Sequence, residues 1–224
     1  MRRIFGALAA QLDQGRGAVL CTIADSRGST PRGAGARMLV TAEGDTAGTV
    51  GGGAVEHRAG MLARSMLAER RSGFETYRLS AGEIADTGMI CGGDVEIFFQ
   101  YFDPADSGAR EAAARVLELL DRPGASWLVT AAEGSGWRMG TYDRQNGLRG
   151  LDLPPETLER LLEGRGMLER QGERVLFAQP LVRAGTVYLF GAGHVSRALA
   201  QILAMAEVRT VVYDQRPEAA WRAF

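Results

Sequence analysis

Apolar positions recur along this chain in two rhythms, one helical and one extended. Ile4, Leu8 and Leu12 stand at helical spacing and predict a first helix that stops near Gly15–Gly17. Ala18–Ala24 is a short, nearly continuous apolar run, the pattern of a buried strand, and Cys21 inside it reads as a small core hydrophobe. Two strands are expected in ARMLVT and DTAGTV around the turn signal Glu43-Gly44. Val55, Ala59, Leu62 and Met66 then define one apolar helix face ending by Gly73.

Farther on, Phe74–Leu79 and Val95–Phe102 read as strands, with a long loop between them. Ser107–Leu120 carries Ala113, Val116, Leu117 and Leu120 on one helical face. SWLVTAA is a strand, and WRMGTYDRQNGLRG is a hairpin whose turn is placed at Asn146-Gly147. Pro154-Pro155 opens a helix bearing Leu158, Leu161 and Leu162, and Pro180 ends a strand in GERVLFAQP. Strands alternating with helices predict a layered α/β (α+β) domain over residues 1–183. Past a boundary near Arg183–Gly185, a strand, a glycine turn, an amphipathic helix and a second strand form the first β-α-β unit of a Rossmann fold over 184–224. The chain stops at Phe224, so that unit is expected to be truncated and to need a covering partner.

Composition changes this picture in one respect. Of 30 glycines among 224 residues, eight lie between Gly28 and Gly53, where regular structure would disfavour them. A net charge of −1 argues against a nucleic-acid footprint or a basic membrane-binding face. Every one of the 26 basic residues is arginine; its fork suits phosphate and carboxylate ligands, but codon bias is the better account of a blanket absence of lysine. Two cysteines, Cys21 and Cys91, build neither a disulfide framework nor a metal-spacing motif, so no metal ligands are assigned. No apolar run reaches the ~18 residues of a membrane span, and a cytoplasmic location is expected.

Four stretches carry candidate chemistry. Gly51-Gly52-Gly53 opens directly into a helix, which is an anion-binding geometry, and Ser29, Arg32 and Arg37 can add hydrogen bonds to the same anion. The same glycines also suit a run of tight turns. Glu56, in the first helical turn, either caps the helix or accepts from a ligand N–H edge, and His57 beside it reads as a surface residue. Cys91, followed by Gly92 and Gly93, presents either an exposed sulfur that favours thiolate or a half-buried turn residue. Gly191, Gly193 and Ser196 fill a G-x-G-x-x-G frame with Asp214 at the end of the next strand, where an acid would hold a ribose hydroxyl. His194, inside that turn, either touches a phosphate or faces solvent.

Taken together, GSTPRGAGARMLV, GTVGGGAVEH, CGGDVEIFF and LFGAGHVSRALA…VVYDQRPE resemble the XdhC/CoxI family of xanthine dehydrogenase accessory proteins. The resemblance implies a chaperone that binds the molybdenum cofactor, a pyranopterin dithiolene with a terminal phosphate or nucleotide. Such a protein would hold the cofactor during sulfuration and pass it to an apo molybdenum hydroxylase, acting by hand-over rather than turnover. Carried over residue by residue, it assigns cofactor binding to Gly28, Ser29, Pro31 and Arg32, to Gly51, Gly52, Gly53 and Glu56, and to Cys91, Gly92 and Gly93. Gly191, Gly193, His194 and Asp214 match the Rossmann signature. Ala54 stands where the family often has cysteine, which leaves Cys91 as the candidate sulfur residue. A cysteine desulfurase and a second copy of the chain, forming a homodimer, are the further expected partners. The alternatives are an NAD(P)-dependent oxidoreductase built on Gly191–Asp214, and a docking module for a hydroxylase.

Overall fold

The computed structural model describes residues 1–78, 92–122, 124–134, 136–163, 168–181, 185–206 and 208–216. The chain divides into two compact units, Met1–Leu181 and Val182–Phe224. In the first, helix α1 (Arg2–Asp13) leads to strands β1 (Ala18–Arg27), β2 (Arg37–Thr41) and β3 (Thr46–Gly48). Helix α2 (Gly53–Glu69) then precedes β4 (Gly73–Arg78) and β5 (Asp94–Phe102). These strands make one antiparallel sheet in the order β3-β2-β1-β5-β4.

The second half of the unit contains α3 (Ser107–Asp121), β6 (Ser126–Glu133), β7 (Gly136–Asp143), β8 (Gly147–Arg149), α4 (Pro155–Glu163), β9 (Leu168–Gln171) and β10 (Arg174–Pro180). Its sheet, also antiparallel, runs β8-β7-β6-β10-β9.

Alternation along β1 sends Val19, Cys21 and Ile23 to one face of the first sheet, where they meet Val55, Ala59, Ala63 and Met66 of α2. Leu20 and Phe102 point the other way, into a cluster with Phe5, Leu8 and Leu12 of α1 and Ala113 and Val116 of α3. On that same side Phe98 meets Phe177 of the second sheet edge to face at 5.9 Å, and Phe74 stacks on Phe98 at 4.4 Å. Each fully buried aromatic of this kind stabilises the fold by about 2–3 kcal/mol. Leu161 of α4 covers the second sheet against Val129, Leu176 and Ala178.

Two local devices set element ends. Asp106 caps α3, its carboxylate accepting from the N–H groups of Gly108 (2.9 Å) and Ala109 (3.2 Å). The β7–β8 hairpin differs from the expected Asn146-Gly147 turn. Asp143 pairs with Gly147 across a three-residue loop, because the Asp143 carboxylate accepts from the N–H groups of Gln145 and Asn146, both at 2.9 Å.

The second unit holds β11 (Thr186–Phe190), α5 (His194–Met205) and β12 (Arg209–Tyr213), with the two strands paired in parallel. This is the expected β-α-β connection. Its helix has no buried residue, and Phe190, Val195, Ile202 and Met205 are all exposed. Among the described residues, no helix is long and apolar enough to cross a membrane.

Candidate functional site

Three glycine-containing segments meet at one end of the first sheet. The β1–β2 loop contributes Gly28 and Pro31, the segment before α2 contributes Gly51, and the start of β5 contributes Gly93. A Cβ built on Gly51 would lie 3.2 Å from the Pro31 ring, so these two bends touch. A Cβ on Gly28 would lie 3.1 Å from the Gly93 Cα and 3.2 Å from the Gly92 carbonyl oxygen. Gly93 is the tightest of the three. A Cβ there would overlap the Arg27 carbonyl and lie 2.7 Å from that of Ser29, so only glycine fits between these backbones.

Gly51, Gly52 and Gly53 all have positive φ (133°, 75° and 58°), a run that ordinary side chains would strain. The loop they form is tied by a carboxylate from inside the chain. Glu56 Oε2 accepts from the N–H groups of Val50 and Gly52, each at 3.1 Å, and from the Thr49 hydroxyl. The Thr49 hydroxyl oxygen in turn accepts from Gly51 N–H at 3.0 Å. Glu56 thus sits as an anion at the positive end of α2 and uses three amides and a hydroxyl of its own loop, directly or through Thr49. The N–H groups of Gly53 and Ala54 keep no partner among the described residues and are the donors left for a guest.

The expected site residues separate accordingly. Ser29, Pro31, Arg32 and Gly53 are exposed, and Arg32 makes no hydrogen bond or ion pair among the described residues. Gly92 is exposed and Gly93 buried, while Cys91 lies outside the described residues. Glu56 turns Oε2 inward to its own loop. Arg37 is corrected more strongly: it is 4% exposed, with its guanidinium turned into the seam between the two sheets. It donates there to Gln179 Oε1 and to the Gly35 carbonyl at 3.3 Å, and burial pushes its pKa down to about 10. Gln179 extends the link by donating to the Ile23 carbonyl at 3.5 Å. A guanidinium so enclosed is a fastener between sheets rather than an anion receptor.

Thr49 is the residue that motif reading missed. Its signal is a hydroxyl placed two residues before Gly51 and seven before Glu56, with apolar Val50 between. Cys21 is fully buried, and desolvation raises its thiol pKa far above the usual range, which makes it inert.

The glycine turn of the second unit repeats the internal-carboxylate arrangement. Gly191 (φ 101°) donates to the Tyr213 carbonyl at 2.7 Å, and Gly193 precedes α5, whose first residue, His194, is exposed. Asp214 does not present a free acid for a ribose. Its side chain is 4% exposed and accepts from Ala192 N–H (2.6 Å), Arg216 N–H (2.7 Å) and the Arg216 guanidinium (3.0 and 3.1 Å). These contacts, the guanidinium first, hold its carboxyl well below the usual range. Among the described residues, no group of three His, Cys, Asp or Glu side chains could hold a metal ion.

With this geometry established, sequence comparison places the segment that carries two of the three loops. Residues 11–78 match the XdhC and CoxI family. The XdhC and CoxI match runs from α1 through β4 and includes both the Gly28–Arg32 and Gly51–Gly53 bends. Over 79 residues the chain is 39% identical to YqeB of Escherichia coli (strain K12), an uncharacterized protein, covering 35% of this chain and 14% of that one. A crystal structure of a xanthine dehydrogenase from Bacillus halodurans has the same fold, with a TM-score of 0.74 at 22% identity. That similarity covers 96% of this chain and 63% of the other, so the chain spans less than two thirds of either relative.

Proposed function

We propose that this chain is a maturation factor for a molybdenum hydroxylase of the xanthine dehydrogenase or CO dehydrogenase type. On this reading its cargo is the molybdenum cofactor, held for sulfuration and then delivered to the apo-hydroxylase. The observation that carries the proposal is the meeting of three glycine loops beside the unpaired Arg32, two of them within the segment that matches the XdhC and CoxI family. A terminal phosphate would take charge-assisted hydrogen bonds from Arg32 and the N–H groups of Gly53 and Ala54. The side-chain-free backbones of Gly52, Gly53 and Gly92 would let a flat pterin approach closely. Cys91 is the proposed sulfur residue and a cysteine desulfurase the proposed donor.

Pterin bound to the purified chain, oxidised and measured by fluorescence, tests this directly. Arg32→Ala is expected to lower the bound pterin about tenfold, the loss of one charge-assisted contact, while leaving the fold intact. Equal pterin content and equal salt dependence in the two proteins would remove the anion site. Cys91→Ser is expected to keep the pterin and lose the transferable sulfur. The reading as an NAD(P)-dependent oxidoreductase has less support, because the Asp214 carboxylate is engaged by Ala192 and Arg216.

A further inference from the structure

The loop that carries Pro31 and Arg32 leaves β1 and returns to β2 over a closed base. Gly35 donates to the Ile23 carbonyl at 2.8 Å, Ile23 donates to the Ala36 carbonyl at 2.9 Å, and the Ser26 hydroxyl accepts from Ala34 N–H at 3.2 Å. Toward its tip the loop is held by the close approaches of Pro31 to Gly51 and of Gly28 to Gly93. The base has a further support that neither of its own strands supplies. Arg37 donates to the Gly35 carbonyl at 3.3 Å, and Gln179 of β10 donates to the Ile23 carbonyl at 3.5 Å. Arg37 and Gln179 are bonded to each other, so one continuous link runs from the second sheet to the foot of the Arg32 loop.

That link is a costly way merely to join two sheets. The Arg37 guanidinium is enclosed with no carboxylate among its partners in the described residues. Its acceptors are Gln179 Oε1, the Gly35 carbonyl and Met1 Sδ, and its Nε has none. An apolar pair would join the sheets at least as well, as Phe98 and Phe177 do edge to face. What an apolar pair cannot supply is a donor aimed at the Gly35 carbonyl, a short step along the chain from Arg32. Gly35 is itself shaped to this contact. Its φ is 94°, and a Cβ there would lie 3.5 Å from Gln179 Nε2.

We propose that Arg37 and Gln179 are positioning residues for the glycine-loop site, through which the second sheet holds the Arg32 loop in the conformation that takes the guest. Neither residue touches the guest. The proposal rests on the reading of that site as a cofactor site, and adds β10 to it although Gln179 lies outside residues 11–78. A loop already ordered by its own scaffold binds more tightly than one that must be ordered by the ligand.

The test compares variants of the full chain by denaturation midpoint, by amide hydrogen exchange and by bound pterin, oxidised and read by fluorescence. Arg37→Met combined with Gln179→Leu removes the link without leaving a buried charge, so the midpoint should stay near that of the unaltered chain. In the same variant the Gly35 amide should exchange about tenfold faster. Bound pterin should fall about fivefold, the cost of ordering the loop on binding. Gln179→Met leaves the guanidinium short of its side-chain acceptor and should show both losses together with a lower midpoint. Gln179→Glu restores an acceptor and should recover slow Gly35 exchange and bound pterin. Exchange at the Val50 and Gly52 amides, which Glu56 ties, should be unchanged in the double variant, separating a loosened loop base from general loosening. Unaltered Gly35 exchange in both link-breaking variants would overturn the proposal, as would undiminished pterin on a loop that exchanges faster. Absence of pterin from the unaltered chain would overturn the cofactor reading instead, and Gly35 exchange would still decide whether the link holds the loop.

Discussion

At Val50–Gly53 a glycine turn gives way to α2, and at Phe190–Gly193 another gives way to α5. In both turns a carboxylate of the chain accepts backbone N–H groups of the glycine segment, Glu56 in the first and Asp214 in the second. The partners differ in charge. Glu56 is held by a hydroxyl and amides, whereas Asp214 also carries the Arg216 guanidinium. The support differs too, since α2 buries Val55, Ala59, Ala63 and Met66 while α5 buries nothing. A glycine turn before a helix is therefore not an anion site by its sequence alone. What matters is which donors an internal carboxylate leaves over, and how firmly the core fixes them.

The strongest way to break that comparison is at the crowded junction of the first turn. Gly93→Ala would drive a methyl group into the Arg27 and Ser29 carbonyls, and is expected to destabilise the first unit by about 3 kcal/mol in urea denaturation. Gly92→Ala next to it meets nothing within 4 Å and should fall within about 0.5 kcal/mol of the unaltered chain. Equal effects at the two positions would mean that the three loops do not press together as described.

A smaller effect separates the two carboxylates. Glu56→Gln removes a charged acceptor shared by Val50, Gly52 and Thr49, which is expected to cost about 2 kcal/mol. Faster hydrogen exchange at the Val50 and Gly52 amides should accompany it. Unchanged exchange at both amides would show that the loop stands without its internal anion, and the parallel with Asp214 would fail.

Much of the fold was legible because burial imposes a period. Phe98 and Phe102 on one face of β5, and Val95, Ile97 and Phe99 on the other, mark a strand covered on both sides. Strand order was not legible, since antiparallel pairing of β1 with both β2 and β5 is decided by contacts distant in sequence. Strand β9, with the sequence LERQ, offers one apolar residue and no pattern to read. At the site, glycine runs announced the loops, but nothing local could show that Gly28 meets Gly93. Arg37 misled for a physical reason. It opens the apolar run Met38-Leu39-Val40, and β1–β2 pairing carries it into the interior with Gln179 as its partner. The direction of the Glu56 side chain was open for the same reason that Asp214 was, because an acid near a helix start can serve its own amides as readily as a ligand.

The smallest expected effect concerns acid. The Asp214 carboxyl is held below its ordinary value first by the Arg216 guanidinium and then by the N–H groups of Ala192 and Arg216. An unfolded aspartate titrates near 3.9, so the lowered folded value makes this clasp fully stabilising above about pH 4, with loss as pH falls through the folded value. The Asp214 carboxyl carbon resonance should therefore stay constant from neutral pH to about pH 4 and move only below it. In Asp214→Asn the Ala192 amide resonance should be shifted at neutral pH, because its charged acceptor is gone. The clasp closes a turn whose helix buries no side chain, so the substitution should leave the denaturation midpoint of the first unit where it was. Movement of the carboxyl resonance between pH 5 and 7 would mean that Asp214 is not clamped by Arg216, and its carboxylate would then be available to a ligand after all.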